Sequence, residues 1–395
     1  MKLEWKKETF SDCIEPVRVE RKNQVQANFY LSEGKYPIVD QGQDLIAGWT
    51  NDEKAVIREG LPYVIFGDHT RVFKWVDFPF ALGADGTKLL KAKEDINPLY
   101  FFFHLKSLDI HSRGYSRHYR LLKEKTINLP PLPEQKKIAT VLLRIQRTIE
   151  MQEKILRSLR NLKKSTMQFV FTRGLHGEKT KMTEIGEIPE SWEIAKINDL
   201  GEIITGTTPP TKKPEYYQGG GYQFIAPNDI GETTKIYCTE KEISEKGLEV
   251  SRILSKHTVC FVCIGSTIGK VGITVVEKAA SNQQINAIVT NDQYDPFFVT
   301  YILNYKSAHV SSFASPSPVP ILSKGKFAEI SIITTHDKVE QKEIAYILQT
   351  MDKKIELHES KKSALQSLFK TMLNQLMTGE IRVKDLDIDL SEVEA

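Results

Sequence analysis

The sequence predicts an α+β fold in which two mixed α/β globular domains are separated by two long α-helices. The first observation is a repeated helix opening: "EQKKIA" at Glu134–Ala139 returns as "EQKEIA" at Glu340–Ala345, 206 positions later. The second is a helical period of apolar residues that continues after both segments. The third is a set of short alternating stretches typical of strands, such as "TVCFVCIG" at 258–265. Together they predict an internal pseudo-twofold repeat.

The repeat extends along the chain. Three further pairs match in the same order: Trp5 with Trp192, Val64–Phe73 with Val262–Val271, and Asn97–Leu105 with Asp295–Leu303. The offset between the partners grows from 187 to 198 and then to 206 residues, as expected when insertions accumulate in loops. Asn97 and Asp295 each precede a proline, which predicts an N-cap followed by a short helix. The ordered matches indicate a tandem duplication.

Changes in composition predict the boundaries. The polar run "HGEKTKMTEIGEIP", with its Gly and Pro, is typical of a linker. The last twelve residues carry five acids, which predicts a frayed tail. The predicted parts are a first domain (1–130), a first long helix (131–175), a linker (176–189), a second domain (190–335), a second long helix (336–381) and an acidic tail (382–395).

Both long helices carry a narrow apolar seam whose steps alternate between four and three residues, the period of a coiled coil. About 40 residues give a rod of roughly 60 Å. Capping-box spacing of Asp337 and Glu340 predicts one helix start, and Gly174 and Gly379 predict left-handed stops. The residues predicted to pair the helices are Ile138, Leu142, Ile145, Ile149, Gln152, Ile344, Leu348, Met351, Ile355 and His358.

The two seams are interrupted at one shared layer. Gln152 and His358 lie 206 residues apart where an apolar residue is expected. If the helices pair, these side chains should meet, and a buried polar pair can determine register and partner. The alternative is a layer exposed to solvent. Periodicity alone allows either parallel or antiparallel pairing.

Length, net charge and cysteine content limit the classes of protein to which the chain can belong. The chain has 395 residues, a formal net charge of +3 and four cysteines, so it is long enough for two or three domains and shows no disulfide framework. The start "MKLEWKKETF" lacks a signal-peptide core, and no apolar run approaches a membrane span. We expect a cytoplasmic protein without membrane association.

Several longer stretches carry a resemblance to a known family. They are "LPPLPEQKKIATVL" with its echo "VEQKEIAYIL", "IPESWEIAKINDLGEIITGTTPPT" (Ile188–Thr211), "CIGSTIGKVGI" (Cys263–Ile273) and "ASNQQINAI" (Ala280–Ile288). In this order they make the chain similar to the DNA-specificity subunit of type I restriction–modification systems. The second half departs by having "THDKVEQ" for "LPPLPEQ", and the first domain lacks a close copy of "TGTTPPTKK". Whether both domains bind DNA in the same way therefore stays open.

The resemblance implies a division of labour. Each domain would read one half of a bipartite site in double-stranded DNA, while the long helices form an antiparallel coiled coil that sets the spacing. The helices would dock two methyltransferase (modification) subunits, and translocase/endonuclease (restriction) subunits would join the larger complex. Catalysis would belong to the partners, so we expect a non-catalytic chain without a cofactor of its own.

Candidate DNA contacts lie in loops that combine amides, hydroxyls and basic groups, since such side chains bind phosphates and base edges. In the first domain they are Asp40, Gln41, Gln43, His69, Arg71, Arg113, Tyr115, Arg117 and Arg120. In the second domain they are Thr205, Thr207, Thr208, Lys212, Lys213, Asn228, Ser266, Thr267, Lys270, Asn282, Gln283 and Gln284. The alternative for each is a solvated loop or a structural turn. Replacement of Arg113, Arg117 and Arg120 by Ala together should weaken binding to the specific duplex.

The first long helix is basic. Residues 134–181 contain 12 basic and 4 acidic residues, net +8, against 6 and 6 in residues 340–380. This pattern predicts a solvated face, attraction to DNA phosphates, or contact with an acidic partner.

Other classes of protein fit less well. "GSTIGKVG" has three residues between its glycines and is followed by a strand-like run, unlike a phosphate-binding loop. Cys260 and Cys263 have metal spacing, but residues three apart on a strand face opposite sides, which favours core cysteines over zinc. A DNA adenine methyltransferase would need a second proline in "YDPFF" and a cofactor turn. A coiled-coil assembly protein without a DNA role remains the other alternative.

Overall fold

The structure is a computed structural model that describes residues 5–84, 86–112, 114, 117–231 and 233–391. Two helices of 42 and 41 residues, Leu132–Arg173 and Lys338–Thr378, pack together. The chain forms two compact units, residues 1–151 with 362–395 and residues 152–361. Each unit contains one mixed α/β domain and a part of both long helices, so the predicted fold class is confirmed.

The described residues of the first domain form two larger β-sheets and one separate strand pair, made by its first and last strands. Its strands are β1 (Lys6–Thr9), β2 (Ile14–Glu15), β3 (Gln24–Val25), β4 (Tyr36–Val39), β5 (Gly48–Thr50), β6 (Val56–Ile57), β7 (Tyr63–Gly67), β8 (Phe73–Val76), β9 (Phe80–Gly83), β10 (Thr87–Ala92) and β11 (Thr126–Leu129). Its helices are α1 (Pro98–Ser107), α2 (Tyr119–Lys123) and 3₁₀ turns at Phe10–Cys13, Arg21–Asn23, Ala27–Phe29 and Glu53–Ala55. One sheet has the order β2-β10-β7-β8 and the other β3-β9-β4-β5, with β6 also on β9. Strand β11 pairs with β1 and leads into the long helix α3 (Leu132–Arg173).

The second domain follows α3. Its strands are β12 (Thr180–Thr183), β13 (Gly186–Pro189), β14 (Glu193–Lys196), β15 (Gly201–Thr205), β16 (Tyr222–Ile225), β17 (Lys235–Ile236), β18 (Glu242–Ile243), β19 (Leu254–Ser255), β20 (Val259–Val262), β21 (Val271–Thr274), β22 (Lys278–Ser281), β23 (Ile285–Thr290) and β24 (Ser331–Thr334). Its helices are α4 (Glu245–Glu249), α5 (Pro296–Tyr305), α6 (Ser307–Ser311), α7 (Lys324–Glu329) and the long α8 (Lys338–Thr378), with 3₁₀ turns at Ile197–Leu200, Pro214–Tyr216 and Pro227–Asp229. The two larger sheets have the orders β15-β23-β20-β21-β17 and β18-β16-β22-β19, and β12–β13 and β14–β24 form separate strand pairs.

The two domains share a strand order that follows the sequence repeat. The order β10-β7-β8 recurs as β23-β20-β21, and β9-β4-β5 recurs as β22-β16-β18. Helices α1 and α5 correspond at the 198-residue offset. The second domain adds β17, which pairs in parallel with β21. The duplicated sequence therefore folds into duplicated topology, with one added edge strand in each copy: β3 on β9 in the first and β17 on β21 in the second.

The short helices α1 and α5 begin as the sequence predicts. Asn97 Oδ1 accepts the N–H of Tyr100 at 2.9 Å. Asp295 Oδ1 accepts the N–H groups of Phe297 and Phe298 at 2.9 and 3.0 Å. A proline occupies the first turn of each helix, where its missing N–H costs nothing. Both predicted N-caps are confirmed.

The glutamine of the repeated motif joins each long helix to its short helix. Gln135 Oε1 accepts the N–H of Asn97 at 2.9 Å, and its Nε2 donates to a backbone carbonyl just before α3 at 2.9 Å. Gln341 Oε1 accepts the N–H of Asp295 at 2.7 Å, and its Nε2 donates to a carbonyl just before α8 at 2.7 Å. Both side chains are buried. Because a buried amide needs partners on both ends, the same residue recurs at both junctions.

The glutamate of the motif binds the residues that follow the other long helix. Glu134 accepts hydrogen bonds from Arg382 Nε and Nη2, both at 2.7 Å, just after α8 ends. Glu340 accepts the N–H of Leu175, just after α3 ends, at 2.9 Å, and Trp192 Nε1 also at 2.9 Å. The repeated helix opening is therefore a junction that secures both ends of the helix pair.

The long helices run antiparallel. In the unit of residues 152–361, Arg160 on α3 binds Glu359 on α8 at 2.6 Å, and Lys163 binds Asp352. The residue number thus rises along one helix while it falls along the other. Asp352 Oδ2 also accepts Tyr301 Oη at 2.6 Å, which ties the second domain to the helices.

The polar layer predicted from the seam is a direct contact. His358 Nδ1 and Gln152 Oε1 lie 2.7 Å apart, and Gln152 is 3 % exposed. Since Oε1 only accepts, the imidazole donates from Nδ1. The two side chains bind each other within the helix pair, where Gln152 is buried and His358 is half-buried.

The apolar seam residues have two environments. Those near the start of each helix are fully buried within a domain core, while those further along are half-buried. The buried residues are Ile138 and Leu142 in the first unit and Ile344 and Leu348 in the second, and the half-buried ones are Ile145, Ile149, Met351 and Ile355. The start of each seam therefore stabilises its own domain as well as the helix pair.

The segment at 176–189, which the sequence predicts as a linker, forms the hairpin β12–β13. Ile188 is fully buried in the second core, and Lys306 Nζ donates to the carbonyl of Ile185 at 3.1 Å. The few apolar residues in this polar run suffice to attach it to the second domain.

The acidic tail is not frayed over residues 382–391, contrary to expectation. Val383 is 2 % exposed, Lys137 Nζ donates to the carbonyls of Lys384 and Leu386 at 2.8 and 2.7 Å, and Arg144 Nη2 donates to the Asp389 carbonyl at 2.9 Å. The basic residues of α3 attract this segment, which its own composition could not reveal.

No helix in the described part of the chain is long and apolar enough to cross a bilayer.

Candidate functional site

Four loops of the second domain meet at one edge of its sheets. They are residues 205–213, 226–229, 265–270 and 281–284, which we call loop surface 2. Strands β15, β16, β20 and β22 end at this edge, and β21 and β23 begin there. Backbone bonds join the loops, with Gly206 N–H donating to Ile285 at 3.0 Å and Asn282 N–H to Ile225 at 3.1 Å. The scattered sequence motifs of this domain thus form one surface.

Hydroxyls and amides bind one another across loop surface 2. Thr205 Oγ1 donates to Asn286 Oδ1 at 2.7 Å, and Thr208 Oγ1 donates to Gln283 Oε1 at 2.6 Å. Thr208 and Gln283 are both exposed. This pair presents an oriented amide at the surface, the group that suits an adenine edge.

The side-chain amides of the neighbouring Asn282 and Gln284 form hydrogen bonds within the protein. Asn282 Nδ2 donates to Gln284 Oε1 at 3.0 Å, and Gln284 Nε2 donates to the Ile264 carbonyl at 3.4 Å. Both side chains are half-buried. Their first role in this arrangement is to shape the loop that presents Gln283.

The turn at 265–270 has the tight geometry that its sequence predicts, with φ of +100° at Gly265 and +95° at Gly269. Its N–H groups are mostly used: those of residues 265, 268, 269 and 270 donate to backbone carbonyls of the fold. Lys270 Nζ lies 3.5 Å from the Pro227 carbonyl. The turn is therefore a structural corner, with exposed Ser266 and half-buried Thr267 at its tip.

The remaining candidates of the second domain are peripheral. Lys212, Lys213 and Asn228 are exposed, and Lys213 Nζ lies 5.4 Å from the ring centroid of Tyr216. The hydroxyl of Tyr217 donates to the Pro209 carbonyl at 2.7 Å and holds this loop together. A supported loop with exposed lysines offers mobile positive charge to a phosphate backbone.

The first domain has an equivalent loop surface, formed by residues 40–44, 67–71 and the described part of 110–120, which we call loop surface 1. Gln41 Oε1 accepts the N–H of His69 at 3.3 Å, and Arg71 Nη1 donates to the Ile110 carbonyl at 3.0 Å. Asp68 receives the N–H groups of His118 at its carbonyl and Tyr119 at its carboxylate, at 2.9 and 2.7 Å. These contacts join the three loops.

A buried lysine lies beneath loop surface 1. Lys74 Nζ is 3.6 Å from Asp40 Oδ1, and its side chain is 4 % exposed. Burial lowers the pKa of Lys74 because desolvation disfavours the ammonium, whereas the charge of Asp40 opposes this shift. Asp40 also accepts the N–H of Gly42 at 2.8 Å, so it supports the loop from inside.

The basic segment of loop surface 1 is exposed where it is described. Arg117 and Arg120 are exposed, and Arg120 Nε lies 3.8 Å from Glu124. Gln43 is exposed as well. The candidates Arg113 and Tyr115 lie outside the described residues.

Arg252 of the second domain also binds these loops, although no sequence motif indicated it. Its guanidinium Nη1 donates to the Thr205 carbonyl at 2.7 Å, and its backbone N–H donates to Thr207 Oγ1 at 3.3 Å. One sequence feature could have indicated Arg252: no other arginine occurs in residues 174–381.

The two closely spaced cysteines lie in different cores. Cys260 packs between the two sheets of the second domain, whereas Cys263 packs with the helices on the other face. Burial raises the pKa of both thiols to about 12, so they stay protonated. Among the described residues, no group of three or more His, Cys, Asp or Glu side chains is arranged to hold a metal ion.

Comparisons with known proteins agree with this architecture. A model of the type I restriction modification DNA specificity domain matches the chain twice, at residues 4–161 and 189–367. The chain is 28 % identical over 305 residues to the putative type I restriction enzyme MjaX specificity subunit of Methanocaldococcus jannaschii, covering 74 % of this chain and 70 % of that protein. It is 22 % identical over 306 residues to the EcoR124I/EcoR124II specificity subunit of Escherichia coli, covering 72 % and 71 %.

Solved structures show the same fold. The type I restriction–modification S subunit from M. genitalium superposes with a TM-score of 0.66 at 15 % identity, covering 95 % of this chain and 96 % of that one. Two repeated domains on an antiparallel helix pair, each matched by a DNA specificity model, define the class as a two-domain DNA specificity protein. The chain belongs to the type I restriction–modification DNA specificity family, as a specificity subunit that is itself non-catalytic.

Proposed function

We propose that each domain reads one half of a bipartite site in double-stranded DNA, and that α3 and α8 set the distance between the halves. The observation that carries the proposal is the occurrence of a loop surface at the equivalent sheet edge of both domains. Gly67 and Gly265 are 198 residues apart: Gly67 is the last residue of β7, and Gly265 follows the end of the corresponding strand β20. Duplicated readers with different side chains suit an asymmetric target.

The chemistry of the two surfaces differs in a way that supports two half-sites. Loop surface 1 carries exposed arginines, Arg117 and Arg120, whereas loop surface 2 carries the Thr208–Gln283 pair and exposed lysines. Cations attract the phosphate backbone, while oriented amides distinguish base edges. Both kinds of contact belong to sequence-specific binding.

We further propose that the helices dock two methyltransferase subunits, which translocase/endonuclease subunits then join. Exposed apolar residues on the helices support two equivalent docking positions, because they recur at the 206-residue offset. Met151 and Leu357 are 59 % and 66 % exposed, and Leu162 and Leu368 are 52 % and 46 % exposed. The recurrence of exposed apolar residues at the offset of the repeat suits two equivalent partner contacts.

The cytoplasm is the compartment that suits this assembly. Cys13, Cys238, Cys260 and Cys263 are all free thiols, as expected where disulfides are kept reduced.

The decisive experiment is methylome sequencing of a host that expresses this chain with its methyltransferase. We expect a split adenine motif whose two defined halves flank a spacer of undefined sequence. A continuous motif, or the absence of any motif, would contradict the proposal.

Replacement of both Arg117 and Arg120 by Ala should weaken methylation through the first half-site, and the thermal melting temperature should stay unchanged because both side chains are exposed.

A further inference from the structure

Arg252 is attached to loop surface 2 at two points. Its Nη1 donates to the Thr205 carbonyl, and its main-chain N–H donates to Thr207 Oγ1. The residue lies just before β19, which pairs with β22, the strand that ends in the loop carrying Gln283. Arg252 nevertheless remains exposed. The fold thus holds a guanidinium at the surface instead of burying it.

This guanidinium is alone of its kind in the second domain. The other basic candidates on loop surface 2, Lys212, Lys213 and Lys270, are lysines. A lysine acts as a compact point charge on a flexible stem, whereas an arginine presents a planar fork of donors. Within the second domain, a bidentate arginine contact beside loop surface 2 therefore has to come from Arg252.

The geometry around Arg252 suits base recognition better than simple charge attraction. A guanidinium has five N–H donors, and the Thr205 carbonyl uses one of them. Because that bond restricts the side chain, less conformational entropy is lost when the remaining donors bind. Val250 and Ile253, two residues before and one residue after Arg252, are 50 % and 48 % exposed, so the same segment also exposes apolar surface. A guanine edge with O6 and N7 acceptors, next to a thymine methyl, matches this combination in the major groove.

We propose that Arg252 is a specificity-determining residue that reads a guanine in the second half-site. The inference rests on the proposed function, since it presumes that loop surface 2 faces DNA. It goes further by assigning one base pair of the target to one side chain. The Thr208–Gln283 pair would lie on the same surface and contact a neighbouring position.

The test uses the full complex with its methyltransferase and duplexes that carry the motif found by methylome sequencing. Binding is measured for Arg252→Ala with every G·C pair of the second half-site exchanged in turn, over a salt titration. We expect a loss of about tenfold to a hundredfold on the cognate duplex. We also expect discrimination to disappear at one G·C position only, with the first half-site read as before.

Lys256→Ala is the matched control. Lys256 is an exposed lysine four residues away at the opposite end of β19, where its side chain binds Glu277 at 2.8 Å. Its removal deletes the same charge from the same segment and should leave the motif unchanged. Arg252→Lys keeps a donor for the Thr205 carbonyl but lacks the planar fork, so we expect it to fold and to lose the same discrimination.

Three results would overturn the assignment. The first is that Arg252→Lys discriminates between the duplexes as the wild type does. The second is that Arg252→Ala binds the duplexes in the same way as Lys256→Ala. The third is that Arg252→Ala loses affinity equally for all duplexes with a salt slope reduced by about one, which indicates a phosphate contact. If the wild-type complex shows no bipartite motif at all, the proposed function fails independently of Arg252.

Discussion

At the scale of single residues, burial decides the chemistry of His104. The side chain is 3 % exposed within the first core, and Nε2 accepts the N–H of Asn128 at 3.0 Å. Burial lowers the pKa of His104 to about 4, so the imidazole is neutral at physiological pH with Nε2 unprotonated. Asn128 in turn donates to the Met377 carbonyl at 3.1 Å, so this histidine supports the end of α8.

Protonation of His104 should weaken the first domain in acid. The unfolded chain binds this proton with an ordinary histidine pKa near 6.5, whereas the folded chain binds it near 4. Stability is therefore lost as the pH falls from about 6.5 to about 4. Denaturant titrations at pH 7 and pH 5 should differ by roughly 2 kcal/mol through this group. The variant His104→Gln keeps an acceptor without titrating and should remove that difference; an equal pH dependence in the variant would refute the assignment.

At the scale of elements, the repeated "EQK-IA" opening joins the start of one long helix to the segment that follows the other, as in the ion pair of Glu134 with Arg382. The carboxylate of Glu134 is 3 % exposed, while Arg382 is 31 % exposed. The hydrogen bond to Glu134 raises the pKa of Arg382, so the guanidinium stays charged. Because the two partners differ in burial, the loss of each one has a different consequence.

Replacing Arg382 should cost more than replacing Glu134. Arg382→Ala leaves a buried carboxylate without its counter-charge, which should lower the free energy of unfolding by about 3 kcal/mol. Glu134→Gln leaves a cation that reaches water, so a smaller loss is expected. The double variant should recover part of the Arg382→Ala loss in denaturant unfolding. Strictly additive losses would mean that the two side chains do not stabilise each other.

At the scale of the whole molecule, the two halves follow one plan with different chemistry. In the second unit, Tyr301 and Lys163 both bind Asp352. Their counterparts by the sequence offsets are Phe103 and Phe369, whose rings pack with centroids 6.0 Å apart in the first unit. The junction is polar in one half and apolar in the other. This difference favours each domain at its own helix ends, since an exchanged domain would leave the buried Asp352 without the Tyr301 hydroxyl.

The duplicated frame predicts the stoichiometry of assembly. Two positions related by the 206-residue offset should bind two copies of one methyltransferase subunit. Native mass spectrometry of the purified complex should therefore give two methyltransferase subunits for each copy of this chain. Leu357→Asp together with Leu162→Asp should reduce that number, while Glu240→Gln, at an exposed site of the second domain, should not. A complex that saturates at one subunit would contradict the docking proposal.

The features that the sequence determined by itself are local or periodic. The repeat, the long helices, the caps at Asn97 and Asp295, and the glycine stops are all confirmed, with φ of +66° at Gly174 and +76° at Gly379. Each depends on residues a few positions apart, where hydrogen bonds and side-chain direction follow directly from the chain.

The tertiary structure alone decided the contacts between residues that are distant in the chain. Glu134 and Arg382 are separated by 248 positions, and the attachment of Arg252 to Thr205 spans 47. The hairpin at 176–189 and the packed tail also depend on partners elsewhere, namely the second core and the basic residues of α3. A local composition cannot report such contacts, because their free energy comes from surfaces that meet only after the chain has folded.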